Sequence, residues 1–114
     1  MALISNPFIA NINKQLSPDE LVQAIRADIM GEYEAIISYE AHAMATQDQR
    51  VKQALHKIAD DERKHVGQLE ELLTLLNPKE GQLIEQGKQV IKQQQIQTTS
   101  QPIQGSNMPN HFAQ

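Results

Sequence analysis

The sequence predicts an all-α fold: an antiparallel hairpin of two long helices, then a shorter C-terminal helix, with two such hairpins pairing into a four-helix bundle. Three observations carry that reading. Hydrophobic residues make up 39% of the 114 residues but aromatics only 4%, with no Trp, so any core is aliphatic and suits helices better than a β-sandwich. Helix-start signals stand at Ser17, at Thr46-Gln47-Asp48 and at Asn77-Pro78, and nothing strong breaks the stretches between them. Within those stretches the aliphatic residues return at steps of three and four.

Each element has its own signal. Residues 1–16 mix Asn, Pro and scattered aliphatics without a period and read as an N-terminal arm. Ser17-Pro18-Asp19-Glu20 places Ser at the N-cap, Pro at the first helical position and Glu three residues past the cap; Leu16 and Leu21 are spaced for a hydrophobic staple. The first helix then runs to about Thr46, tolerating Gly31 at a cost of ~1 kcal/mol. A second runs from about Gln49 to Leu76, and Asn77-Pro78-Lys79-Glu80 ends it and caps a third, to about Ile96. Residues 17–96 thus form one domain, and 97–114, polar with Pro and Gly, read as a disordered tail.

At ~1.5 Å per residue the two long helices each span roughly 40 Å, and the short connection makes them antiparallel neighbours. A hairpin does not bury both its faces by itself, and the third helix offers only Leu83, Ile84, Val90 and Ile91, so association with a second chain is expected on burial grounds.

Composition excludes several classes. With no Cys, disulfides, Cys-ligated zinc, iron–sulfur clusters and thiol chemistry are ruled out, which leaves His and carboxylate as metal ligands. A formal charge of −4 and the lack of Lys/Arg runs interleaved with aromatics argue against nucleic acid as a partner. No stretch approaches the ~18 consecutive apolar residues of a membrane span, and the N-terminus lacks a basic, apolar secretory signal, so the expectation is a soluble, cytoplasmic protein.

The second helix, followed at steps of four and three, reads Val51, Leu55, Ile58, Glu62, His65, Leu69, Leu72, Leu76. Only Glu62 and His65 interrupt the aliphatic run, and they stand at i and i+3, the inward-facing Glu-x-x-His spacing of di-metal carboxylate bundles. The first helix shows the matching interruption: Val22, Ile25, Ile29, Glu32, Ile36, Tyr39, Ala43. Glu32 lies as far from the end of its helix as Glu62 lies from the start of the next, so an antiparallel hairpin sets the two at one height.

Placing three ionisable side chains at one level of an aliphatic seam costs several kcal/mol each unless something compensates, and a divalent cation does so. Two hairpins about a two-fold axis supply four carboxylates and two imidazoles, the ligand set of a di-iron centre. Four negative charges balance two divalent ions. One chain holds half of such a site, so a homodimer is required to make it. The other reading of the same residues is a structural polar layer that fixes helix register, as a buried Asn does in a coiled coil.

The remaining candidates have two readings each. Tyr39 is either a donor of a hydrogen bond or an electron to the centre, or a plain core aromatic. Glu34, roughly 200° round the helix from Glu32, is either solvated charge or part of a route for metal uptake. Asp60 and Asp61 face solvent, offset by Arg63 and Lys64; His42, His56 and His111 read as surface.

With Glu32-Tyr33-Glu34-Ala35-Ile36 and Tyr39-Glu40 on the first helix, and Ile58-Ala59-Asp60-Asp61-Glu62-Arg63-Lys64-His65 on the second, the stretch from about Leu21 to Leu76 resembles the encapsulated ferritins, ferritin-like cargo proteins of encapsulin shells. The resemblance implies a ferritin-like four-helix bundle, Glu32, Glu62 and His65 as iron ligands, and a ferroxidase centre made only at a dimer interface. It further implies a ring-shaped decamer in which the third helix packs between neighbouring dimers, and location inside a cytoplasmic encapsulin nanocompartment. The family's cargo signal is a short C-terminal peptide rich in Gly, Ser and Leu, of which Gln104-Gly105-Ser106-Asn107-Met108 is a faint echo. The leading functional expectation is oxidation of Fe(II) to Fe(III) by dioxygen or peroxide, in support of iron storage. The alternatives are a non-catalytic module that binds iron, manganese or zinc, and a purely structural helical oligomer.

Overall fold

A computed structural model describes residues 14–100, with side chains through residue 95. Among the described residues there are three helices and no strand: α1 (Pro18–Ala45), α2 (Gln49–Leu76) and α3 (Pro78–Ser100). No helix among them is long and apolar enough to cross a membrane. The residues read from sequence as the first part of the arm, the Gly105-Ser106 motif and His111 lie outside the described residues.

The caps form as the sequence predicts. Ser17 Oγ accepts from the Glu20 amide at 3.2 Å while Glu20 Oε1 accepts from the Ser17 amide at 3.0 Å, which closes a capping box around the start of α1. Asp48 caps α2, its Oδ1 accepting from the amides of Arg50 and Val51 at 3.0 and 3.5 Å. Asn77 serves two helices: its amide donates to the Leu73 carbonyl at 2.8 Å to end α2, and its own carbonyl accepts from Glu80 at 3.1 Å to begin α3. The third helix continues past Ile96 to Ser100. The apolar period ends at Ile96, and the added residues, Gln97 to Ser100, carry no helix signal in the sequence.

Residues up to Gln82 form one compact unit. Its buried apolar residues are Val22, Ala24, Ala27, Ile36 and Ala43 on α1 and Ala59, Val66 and Leu73 on α2. The α1 residues Val22, Ile36 and Ala43 belong to the stripe read from sequence. On α2 the buried line runs instead through Ala59, Val66 and Leu73, one step round the helix from the predicted stripe. That stripe's outer members stay uncovered, with Val51 44%, Ile58 41% and Leu72 45% exposed. The reason is geometric: the aliphatic arc of α2 is wider than one neighbouring helix covers.

The corner between α2 and α3 is fixed to α1. Arg26 grips Glu80 bidentately, its Nε donating to Oε2 at 3.0 Å and its Nη2 donating to Oε1, and Asn77 Nδ2 donates to Oε1 at 3.2 Å. The Arg26 guanidinium holds the Glu80 carboxyl below the usual range. Gly81 packs against Thr74 so closely that a Cβ there would stand 2.5 Å from Thr74 Cγ2, so this position requires glycine for the approach of the two helices. The second unit, from Leu83 onward, is helical through Ser100 and leaves Leu83, Ile84, Val90 and Ile91 between 40% and 54% exposed.

The capping box makes α1 acid-sensitive. The Ser17 amide, then the Lys14 ammonium 3.0 Å away, pulls the Glu20 carboxyl down to about 2. A carboxyl lowered in the folded state stabilises above its unfolded value and stops doing so as pH falls through its folded one. Thermal melts followed by circular dichroism are therefore expected to lose stability between about pH 4.5 and pH 2, and Glu20→Gln is expected to remove part of that loss. Superimposable pH profiles for the two proteins would contradict this role for Glu20.

Candidate metal centre

α1 and α2 bring the three residues singled out from the sequence to one place. The ligand-type atoms of Glu32, Glu62 and His65 all lie within 4.8 Å of one another. His65 Nδ1 is 3.3 Å from Glu62 Oε2 and 3.7 Å from Glu32 Oε2. The i, i+3 spacing on α2 stacks His65 one turn from Glu62, and the antiparallel seam supplies Glu32 from the facing helix.

The cluster is open on one side. The side chains of Glu32 and Glu62 are 23% and 19% exposed and that of His65 is 49% exposed. Among the described residues no polar or charged residue is fully buried. Aliphatic residues rim the open side on α2: Ile58 and Leu72 lie one heptad either side of His65 and share its face. Two carboxylates and an imidazole converge here, and among the described residues no Lys or Arg pairs with either carboxylate. The donor set of oxygen and imidazole nitrogen fits a divalent first-row metal, and three ligands from one chain leave its coordination incomplete.

The other sequence candidates lie apart from the cluster. Tyr39 is half-buried two turns along α1 from Glu32. Glu34 is exposed on another side of α1, and His42 and His56 are exposed as well. Arg63 pairs with Asp60 at 3.0 Å and Lys64 with Asp61 at 3.6 Å, as the sequence order predicts.

Three features of the structure escape a sequence reading. Arg63 also reaches Glu40 on α1 at 2.9 Å. Arg26 pairs with Glu80. Asp28, one turn before Glu32, has its carboxyl pushed up by burial. The two ion pairs join residues far apart in the chain and leave no spacing signal, and partial desolvation of a single Asp leaves none either.

A helical hairpin that gathers two glutamates and a histidine on one aliphatic side has the architecture of the ferritin-like carboxylate proteins. Comparison with known proteins agrees. The family model described as Ubiquinone biosynthesis protein COQ7 matches residues 19–100. The crystal structure of an encapsulated ferritin domain from Pyrococcus furiosus is 32% identical with a TM-score of 0.68, covering 77% of this chain and 90% of that one. An encapsulin nanocompartment cargo protein, EncC, from Myxococcus xanthus is 34% identical over 76 residues, 67% of this chain. A ferritin-like–encapsulin shell fusion protein from Pyrococcus furiosus is 32% identical over 88 residues, 77% of this chain. The chain belongs to this ferritin-like family and, among ferritin-like proteins, to the encapsulated ferritins. It spans 58% of the length of the Myxococcus relative and 26% of that of the fusion protein.

The geometry makes a direct prediction about ligands. Titrated anaerobically with Co(II) and followed by visible absorption, Glu32→Ala, Glu62→Ala and His65→Ala are each expected to lose tight binding. Glu34→Ala, whose side chain points elsewhere, is expected to bind as the unaltered chain does. Undiminished binding by any one of the first three would remove that residue from the site.

Proposed function

We propose that the chain is a ferroxidase, with a di-iron centre completed by a second copy of itself. The observation that carries this reading is the open cluster of Glu32, Glu62 and His65 set in an uncovered aliphatic surface. Two copies facing each other there bring four carboxylates and two imidazoles to one place, and they bury Val51, Ile58 and Leu72 at the same time. Apolar burial at ~25 cal/mol per Å² favours the pairing. The four converging carboxylates oppose it until two divalent ions neutralise them, so metal and dimer support each other.

In that centre Fe(II) is the substrate. The carboxylates hold the ions and balance their charge, and oxygen donors favour the harder Fe(III) product; His65 adds a nitrogen donor to each side. Each Fe(II) gives up one electron, and dioxygen or peroxide accepts it. Tyr39, two turns away on the same helix, is assigned a supporting role as a hydrogen-bond or electron donor. Glu34, on another side of α1, is assigned at most to metal uptake. Manganese or zinc occupying the same ligands would bind without turnover.

The names of the relatives support an encapsulin shell as partner and a cytoplasmic nanocompartment as location, in service of iron storage. The ring-shaped decamer implied by the family resemblance belongs to the same proposal. So does the C-terminal motif around Gly105-Ser106 as a docking peptide.

One experiment tests activity and assembly together. On anaerobic addition of Fe(II), light scattering is expected to shift from smaller to larger species, and on admitting air the sample is expected to consume oxygen as Fe(III) absorbance rises. Metal-dependent assembly without oxygen consumption would favour the non-catalytic binding module. Identical scattering with and without metal would contradict an interfacial site.

A further inference from the structure

Among the described residues two side-chain ion pairs cross from α1 to α2, and they stand on different sides of α2. One is the approach of His65 to Glu32 inside the centre, at 3.7 Å. The other is made by Arg63, whose Nη2 donates to Glu40 Oε2 on α1 at 2.9 Å while its Nη1 donates to Asp60 Oδ1 on its own helix at 3.0 Å. Arg63 directly follows Glu62, so it leaves α2 about 100° round from that ligand.

We propose that Arg63 is a positioning residue of the metal centre: its tether to Glu40 sets the rotation of α2 about its own axis, and with it the approach of Glu62 and His65 to Glu32. The inference rests on the reading of those three residues as a metal centre.

Rotation is a motion that the connection between the helices leaves open. The short connection between α1 and α2 stops the helices from sliding past each other but does not stop either from turning. The two residues at 0% exposure in the hairpin are both alanines, Ala43 and Ala59. Such short side chains allow close approach and interlock little, so resistance to turning falls to the larger buried residues Ile36, Val66 and Leu73 and to side-chain ties across the seam. A turn of about 20° moves an atom at a helix's outer radius of 5–6 Å by roughly 2 Å. A ligand set needs placement within about 0.5 Å, so a turn of that size breaks it.

A driving force for the turn exists as well. Without metal, the carboxylates of Glu32 and Glu62 repel across the seam, and turning α2 separates them. The Arg63 fork opposes that motion because its planar donors engage carboxylates on two different helices at once. A lysine at this position supplies a single flexible point charge in place of the fork.

The sign of the effect separates positioning from simple electrostatics. Arg63 is a cation close to a cation site, so removing its charge should tighten metal binding if field alone acts. Positioning gives the opposite result. In anaerobic Co(II) titrations of the full chain, Arg63→Met is expected to weaken binding about fivefold and to alter the visible d–d bands. That fold-change corresponds to ~1 kcal/mol, the upper range for a partly exposed ion pair. Arg63→Lys is expected to fall between Arg63→Met and the unaltered chain. The exchange Glu40→Arg with Arg63→Glu, which rebuilds the pair between the helices but not the contact with Asp60, is expected to restore part of the affinity and of the bands.

Circular dichroism identifies any variant that has lost its helices, and for such a variant the lysine substitution and the exchange carry the test. Affinity and spectrum unchanged in Arg63→Met, or tighter binding there, would overturn the proposal. So would failure of the exchange to restore any part of a loss seen in both single variants. Co(II) binding that survives Glu62→Ala would instead overturn the metal centre itself, whatever Arg63 does.

Discussion

Two helices of 28 residues each, packed side by side as a hairpin, cover only one flank of one another, and the architecture of this protein depends on that constraint. α2 carries an aliphatic arc broad enough for two neighbours. α1 takes the line through Ala59, Val66 and Leu73 and leaves the line through Val51, Ile58 and Leu72 uncovered. The ionisable cluster sits between the two lines, half inside the hairpin and half at its open edge. A buried acidic pair within one chain would need its own compensation; an open one is completed from outside. The surface left without apolar cover is therefore also the one that carries the uncompensated carboxylates.

The fixed charges around the hairpin divide into two kinds. Some hold the scaffold: Glu20 with Ser17 and Lys14 at the start of α1, Asp48 at the start of α2, and Arg26 with Glu80 at the α2–α3 corner. Most of these are partly or fully exposed, so each contributes modestly and is weakened by salt. Together they fix where helices begin and how the corner is set. The cluster of Glu32, Glu62 and His65 is of the other kind. Among the described residues its two carboxylates have only a histidine as an ion-pair partner, and a histidine carries positive charge only when protonated. Arg63 stands between the kinds, a scaffold ion pair attached to the residue next to a ligand.

Much of this was legible in the sequence because it rests on local rules. Ser17-Pro18-Asp19-Glu20 announces the start of α1, and the capping box is found where that pattern places it. Glu62 and His65 were visible because they interrupt an aliphatic period, and Glu32 because the antiparallel register puts it opposite them. The contacts that stayed hidden are those between residues far apart in the chain. Periodicity shows that α2 has a wide apolar arc but not which flank meets α1, so Ala59, Val66 and Leu73 were displaced from the expected line by one step. Arg63 reads naturally as a partner for Asp60, three residues back; nothing in the spacing shows that it also reaches Glu40. Nothing in the spacing around Gly81 signals a close approach, and only the packed corner shows that Thr74 occupies the space a side chain would need.

The central claim is that one chain holds half a metal site and that a second copy completes it. Crystals of the full chain grown anaerobically with Fe(II), with an anomalous difference map collected at the iron edge, test it most directly. The account predicts two iron peaks about 3.5–4 Å apart, the spacing of two-metal centres. It places them either side of a two-fold axis between chains and related by it, with Glu32, Glu62 and His65 of each copy around them. Iron held entirely by one chain, or peaks remote from these three residues, would contradict it.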